Sequence, residues 1–419
     1  VRGDGAATAS GVALGSPPVE FSEGKNVRWK TPLPGKGLSQ PIVWDGTVFV
    51  SAAVGTGKKK EAAPEPEGGE RGGRGEGRGR GRGAPIEEQD FVVLALERKS
   101  GAVKWQKKLS TAMPHQGTHP DGSYASPTPV TDGERVIVSF GSYGMYALSM
   151  SGDVQWSVDL GDMDIQNGFG EGSSPVLCGD LVILNWDHEG DSFLVALDKK
   201  TGKERWRTPR AKGTSWVTPL LVTAGGAQEL VIGGPRTVAY DPTSGKELWS
   251  DGEAGRGGAI ASPVALDELV VFASGGRGGG EARALVAQGA PKAGEPAEAA
   301  LWKSKVDGPH VPSPLAYDGK VYMLKQDSGM LSMLDPTSGE VEYGPERLKG
   351  VADVYASLVA ASGHLYVVGR DGTIEVLSTA PKIETLSVNK LDDGFDSSPA
   401  IAGDELFLRG NASLYCIAK

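Results

Sequence analysis

Cysteine is almost missing from this chain: only Cys178 and Cys416 occur among 419 residues. Two thiols in separate segments do not make a disulfide framework, and both read as free, buried and inert. No apolar run approaches the ~20 residues of a membrane-spanning helix, which excludes such a span. A basic excess is also lacking, because 43 Lys and Arg face 53 Asp and Glu for a net charge of −10. That balance argues against a nucleic-acid-binding body. Val1 to Pro18 is rich in Gly, Ala, Ser and Pro, has no signal-peptide apolar core, and begins without Met. Aromatics are scarce at 7%, while glycine is abundant at 62 residues; this composition suits many short strands joined by turns.

What is present is a repeat. Its clearest copy runs Ser173-Ser174-Pro175-Val176, Asp180 to Leu184, Phe193 to Asp198, then Thr201 to Trp206. Short β-branched and aliphatic runs separated by Gly-Asp or Thr-Gly read as four strands, here A to D, joined by turns. Strand A begins near Ser39-Gln40-Pro41, Ala125-Ser126-Pro127, Ser173-Ser174-Pro175, Val217-Thr218-Pro219, Ala261-Ser262-Pro263, Pro312-Ser313-Pro314, Tyr355-Ala356-Ser357 and Ser397-Ser398-Pro399. Eight four-stranded units predict an all-β, eight-bladed β-propeller of antiparallel blades. The D-strand aromatic falls at Trp29, Trp105, Trp156, Trp206, Trp249, Trp302 and Tyr343, with Thr385 at the eighth position. The chain opens on a lone D-strand around Trp29 and closes on a C-strand around Cys416. The N-terminal strand is therefore expected to complete the last blade and close the ring by ladder hydrogen bonds.

Ala196 to Trp206 and Ala239 to Trp249, each with Asp, then Thr or Ser before Gly, then Trp, resemble the tryptophan-docking motif of the pyrroloquinoline-quinone-like (PQQ-like) propeller repeat family. The seven aromatics are assigned to packing between blades, with the indole N–H finding a backbone partner. Within this family the resemblance extends to the propeller lipoprotein of the outer-membrane barrel-assembly machinery. It implies a periplasmic or exported protein of a Gram-negative bacterium, acting on a protein partner as a scaffold, and a monomer is expected. The enzymes of the family imply a second reading, a dehydrogenase oxidising alcohols or sugars. That reading requires a quinone between a tryptophan floor and an adjacent-cysteine disulfide, a calcium held by Glu and Asn, and an Asp base. The chain has no Cys-Cys pair, so no cofactor is expected. A carbohydrate-binding propeller is the third reading.

The domain plan is an N-terminal extension over 1–25 and one propeller over 26–419, interrupted in blade 1 by an insertion at 55–89. The insertion contains an Arg-Gly run at 71–83 and reads as a disordered surface loop. The A-to-B and C-to-D connections are tight, whereas D-to-A and B-to-C connections are long and varied and emerge on one face. Function is expected on that face. Its candidates are His115, His119 and Asp121; Asp162, Asp164 and Asn167; Trp186, Asp187 and His188; Arg210 and Trp216; Arg256; and His310. Asp164, Asn167 and Asp187 are the hard-oxygen set considered for calcium. Trp186 and Trp216 lie outside the repeat aromatics and are candidates to stack on a sugar or peptide, against packing onto the ring.

Overall fold

The structure is a computed structural model that describes residues 12–13, 15–60, 86–254, 259–274, 280–287, 300–306, 308–379 and 381–419. Eight antiparallel blades form a ring. In blade 3 the strands are Val176–Cys178, Leu181–Trp186, Phe193–Asp198 and Glu204–Pro209. The last blade joins Ala400–Ala402, Glu405–Arg409 and Ser413–Ile417 to Val27–Pro32 from the other end of the chain. Trp29 pairs with Cys416 and Lys30 with Tyr415, so Val27–Pro32 and the last strand close the ring as expected. Glu405 then clasps the next seam, since Arg28 and Arg98 both bind its carboxylate.

Five indoles do the same job, each at its own seam. Trp29, Trp105, Trp156, Trp206 and Trp302 donate their N–H to the carbonyls of Arg98, Met150, Lys199, Pro242 and Pro336, at 2.7–3.2 Å. Each acceptor lies in the C-to-D turn of the next blade. The turn carries its glycine against the indole: a Cβ on Gly202, whose φ is +71°, would lie 2.8 Å from Trp156. Only a residue without a side chain permits both that backbone and that approach. The turn Asp holds the loop shape, as Asp198 accepts from the N–H groups of Lys200 and Thr201 and from the Thr201 hydroxyl. Trp249 departs from the set. It is buried in a core cluster shared by blades 4 and 5 and donates to the Glu229 carboxylate of its own blade at 2.9 Å.

Blade 7 carries Ser387 where the others carry an aromatic, which corrects the expected Thr385, because Ser387 pairs with Val376 as Trp206 pairs with Ala196. The blade that follows is completed from two chain ends and has no C-to-D turn for an indole to sit beneath. The N-terminal segment fills this seam. Phe21 is 3% exposed and packs among Tyr366, Phe395, Leu406 and Tyr415. Its N–H donates to the Asn389 Oδ1, Ser387 and Asn389 donate to the Val19 carbonyl, and the Tyr366 hydroxyl donates to the Pro17 carbonyl. Further out along the chain, Val12–Ala13 adds a parallel strand beside Val359–Ala361. Residues 15–25 are thus a structural part of the ring rather than only an extension to it.

Blade 1 is the longest. Its B and C strands, Thr47–Lys59 and Glu87–Glu97, stay paired from Thr47 with Glu97 out to Lys59 with Glu87. The ladder therefore enters the stretch 55–89 from both sides, which corrects the expectation that a loop occupies all of it. The Arg-Gly run at 71–83 lies outside the described residues, as does Arg256. No helix among the described residues is long and apolar enough to cross a membrane.

Candidate functional site

The strands start at the central channel, and their first residues build its wall. A proline fixes the entry to most A strands, and the residue before it is Gln40, Thr128, Ser174, Thr218, Ser262, Ser313 or Ser398, with Ser357 at the position in blade 7 that lacks proline. Each backbone N–H from Gln40 round to Ser357 donates to the side-chain hydroxyl of the next blade's residue, at 2.9–3.2 Å. Gln40 completes the circle by donating its side-chain amide to the Pro399 carbonyl at 2.6 Å. This ring moves the start of blade 2. The equivalent residue is Thr128 before Pro129, two residues beyond the Ser126-Pro127 expected from sequence, because only Thr128 sits in hydrogen-bond reach of both neighbours.

On the D-to-A and B-to-C side the ring opens into a funnel of about 780 Å³. Loops from distant blades meet at its mouth. Arg370, between strands B and C of blade 7, binds Asp396 at 2.6 Å, Asp121 at 2.8 Å and Asp353 at 3.3 Å, and its guanidinium lies 3.9 Å from the Tyr355 ring centre. The Tyr355 hydroxyl also donates to Asp121. Asp121 comes from the connection between blades 1 and 2, so this hub pins that loop across the mouth to blades 7 and 8. Burial works against charge on both Arg370 and Asp121, but their hydrogen bonds to each other and to Asp396 and Tyr355 prevail. Arg370 is held above its ordinary value and Asp121 below. Burial first, then the bond to Asp121, pushes the Tyr355 phenol up to about 12.

Opposite the hub, Trp216 lines the funnel and is oriented by an N–H bond to the Gly170 carbonyl at 2.6 Å. Phe169 stands 43% exposed at the mouth, with the His119 ring edge-on at 5.1 Å. Glu171 reaches from the same loop toward blade 2 and accepts from the Ser142 N–H at 2.7 Å and the Ser142 hydroxyl at 2.6 Å. Burial raises its carboxyl to about 7 despite those bonds. His310 completes the described histidines of the funnel.

The sequence candidates divide into three groups. His119, Trp216 and His310 reach the funnel with Asp121. His115 and Asp162 lie instead beside a separate groove of about 320 Å³, where His115 Nε2 lies 2.8 Å from the Met163 carbonyl and Nδ1 3.3 Å from the Tyr143 hydroxyl. Trp186, Asp187, His188 and Arg210 correct the expectation of a surface role, because they are interior. Trp186 is 1% exposed and stacks on Phe193. Arg210 grips Asp187 through two nitrogens, at 2.7 and 3.0 Å, and also reaches the Tyr240 hydroxyl and the Gly233 carbonyl. His188 Nδ1 accepts from the Asp164 N–H, and its Nε2 contacts the Asp191 carbonyl. A buried charge must be paired, and a polar run within a B-to-C connection gives no sign that it turns inward.

The calcium set does not assemble. Asp187 is engaged by Arg210 and by the Asn185 amide, Asp164 accepts from Gln116, and Asn167 is an exposed turn residue with φ of +56°. Among the described residues no group of three or more His, Cys, Asp or Glu is arranged to hold a metal ion. Cys178 and Cys416 are both buried, one in blade 3 and one in the closing blade. Among the described residues, Asp164, Asn167 and Asp187 are therefore not gathered into one oxygen-donor set for calcium. Sequence reasoning also missed Arg370, Tyr355 and Asp396 as a unit, since they come from separate connections and carry no motif.

The fold and its one-sided funnel define an eight-bladed propeller with a loop-built face. The family described as outer membrane protein assembly factor BamB matches residues 88–223 and 191–419, and the chain belongs to this PQQ-like propeller family. Among solved structures, BamB from Moraxella catarrhalis is similar with a TM-score of 0.58 and 13% identity, covering 93% of this chain and 96% of that one. The quinohemoprotein alcohol dehydrogenase ADHIIG from Pseudomonas putida HK5 aligns with a TM-score of 0.54 and 13% identity, over 96% of this chain and 78% of that one. The Dos1 propeller gives 0.57 and 10% identity, over 93% and 96%. At these identities the structural likeness is one of fold. No curated protein sequence matches the chain.

Proposed function

We propose that this chain is a non-catalytic, monomeric protein-binding platform of the bacterial cell envelope, and that its partner meets the D-to-A and B-to-C face. The observation that carries this reading is the asymmetry of the ring. One side is closed by tight Thr-Gly turns stacked on indoles, in the manner of the family's tryptophan-docking motif. The other gathers long loops from blades 1, 2, 7 and 8 around an open mouth held in shape by Arg370. A rigid ring with varied loops on one face offers a protein interface without any bound group. Membership of the BamB family supports an envelope location and a protein partner. The interior positions of Asp187 and Arg210 weigh against a resident calcium or quinone.

The test is site-specific photo-crosslinking in cells. Crosslinkers at Asn167, Asp162 and His310 are compared with crosslinkers at Lys200, Ser244 and Thr337 in the C-to-D turns. Discrete protein adducts from the first set alone are expected; adducts from the second set alone would reverse the face, and none from either would end the platform reading. Titration with pyrroloquinoline quinone and calcium, followed by dye-linked alcohol oxidation, is expected to give neither saturation nor turnover.

A further inference from the structure

Among the described residues six large apolar side chains are exposed: Val103, Val154, Phe169, Leu301, Leu386 and Val388. Val103, Val154, Leu386 and Val388 lie in the outer D strands of blades 1, 2 and 7, and Leu301 directly precedes that of blade 5. Of the six, Phe169 alone stands on the D-to-A and B-to-C face, in the connection between blades 2 and 3. In that connection Met163 and Ile165 are buried in the core shared by the two blades, whereas Asp162, Asp164, Gln166 and Asn167 are exposed.

The backbone leading to Phe169 is tied down almost residue by residue, by groups from four neighbouring connections. The N–H groups of Met163, Asp164, Ile165 and Gln166 donate in turn to Ser142 Oγ, His188 Nδ1, Gln116 Oε1 and Thr214 Oγ1, at 2.8–3.0 Å. The carbonyls of Phe169 and Gly170 accept from the His119 N–H and the Trp216 indole. Glu171 then returns to the Ser142 N–H and hydroxyl, so both feet of the loop rest on one residue of blade 2. His119, His188 and Trp216, three of the sequence candidates, thus serve as supports of this loop. Backbone conformations that side chains rarely adopt are concentrated here as well, with φ of +56° at Asn167, +62° at Gly168 and +86° at Gly170. A loop fixed in this way has little freedom left to lose when its exposed ring is bound, and ordering of loops is one of the main costs of forming an interface.

We infer that Phe169 is the anchor of the partner interface, a rigidly presented ring that enters an apolar pocket on the protein partner, with residues 163–171 as its pedestal. This inference rests on the platform reading and names the side chain that carries it. Interface energy concentrates in a few large side chains surrounded by contacts that exclude water. Phe169 is 43% exposed, and the other exposed side chains of its loop are polar. Asp162 and Asp164 among them disfavour an anionic lipid surface as the alternative landing place for the ring.

The experiment places a photo-crosslinker at the exposed Gln166 of the full chain, in cells, with and without Phe169→Ala. The parent is expected to give a discrete protein adduct, and the substitution to lower its yield about tenfold at an unchanged melting temperature. Phe169→Leu is expected to keep part of the yield, and Leu386→Ala, on the outer strand of blade 7, all of it. In the isolated chain the amide hydrogens of 163–166 are expected to exchange slowly. An undiminished adduct with Phe169→Ala, an equal loss with Leu386→Ala, or fast exchange at 163–166 would overturn the inference and leave the platform standing. Flotation of the chain with phosphatidylglycerol vesicles, abolished by Phe169→Ala, would also overturn it by making the ring a membrane anchor. No adduct from the parent at Gln166, Asp162 or His310 would end the platform reading, and the inference with it.

Discussion

The seam between blades 2 and 3 and the seam between blades 7 and 8 meet the same requirement by different means. At the first, Trp156 and Gly202 come from neighbouring repeats, and the indole fills the wedge while bonding the Lys199 carbonyl. At the second, the ring was cut to make the chain ends, so no C-to-D turn exists to receive an aromatic. Phe21, carried in from a remote segment, fills the wedge and is fixed by Asn389. A repeat protein can encode its seams locally everywhere except where its own termini interrupt the repeat.

The largest disruption of this comparison is removal of residues 1–32, which deletes the closing strand and the wedge together. The truncated chain is expected to lose cooperative unfolding by circular dichroism, since an open blade exposes a ladder edge and the Phe407 and Tyr415 surroundings. Next come Trp156→Ala and Phe21→Ala. Each is expected to cost about 3–5 kcal/mol in urea unfolding, and similar values would establish that the remote residue does the work of the local one. A Phe21→Ala value below about 1 kcal/mol would show that the 7–8 seam does not need filling.

Gly202→Ala is expected to cost about 1–3 kcal/mol, from left-handed backbone and contact with the indole. Ser387→Trp sharpens the contrast by bringing no gain, since it also removes the bond from the Ser387 hydroxyl to the Val19 carbonyl. Without a turn to bond the indole, no gain in melting temperature is expected, although the side chain matches the other blades. On the functional face, Glu171→Gln tests a different difference. Burial holds the folded carboxyl up to about 7, above the unfolded value of 4.5, so the folded state keeps its proton longer. Its stabilising contribution is complete below 4.5 and is lost as pH rises toward 7 and above. The melting temperature of the Gln variant is expected to exceed that of the parent increasingly across that interval, and parallel pH profiles would contradict the assignment.

Most of the scaffold was legible because propeller blades are local. Alternation, Thr-Gly turns and the spacing of indoles act over a few residues, and the order D-strand first, C-strand last is itself the statement of ring closure. The candidate face was legible only as loop lengths. Trp186, Asp187 and Arg210 look like surface residues in a polar run, yet pair and stack inside blade 3, because a bidentate ion pair is visible only once two loops are adjacent. The sequence pattern put the blade 2 entry at Ser126-Pro127, and a hydrogen-bond circle spanning eight blades moved it to Thr128-Pro129.

By itself, the sequence determined the all-β class, the number of blades, the closing strand and the residues that repeat at the seams, since each follows from short-range periodicity. Tertiary structure alone decided that Phe21 replaces the missing aromatic, that Arg370 ties Asp121 to Asp396, and that His119, Trp216 and Phe169 share one funnel. Those groupings join residues as far apart as 21 and 395 or 121 and 396. Their contacts are created by ring closure, a cooperative event that no local pattern encodes.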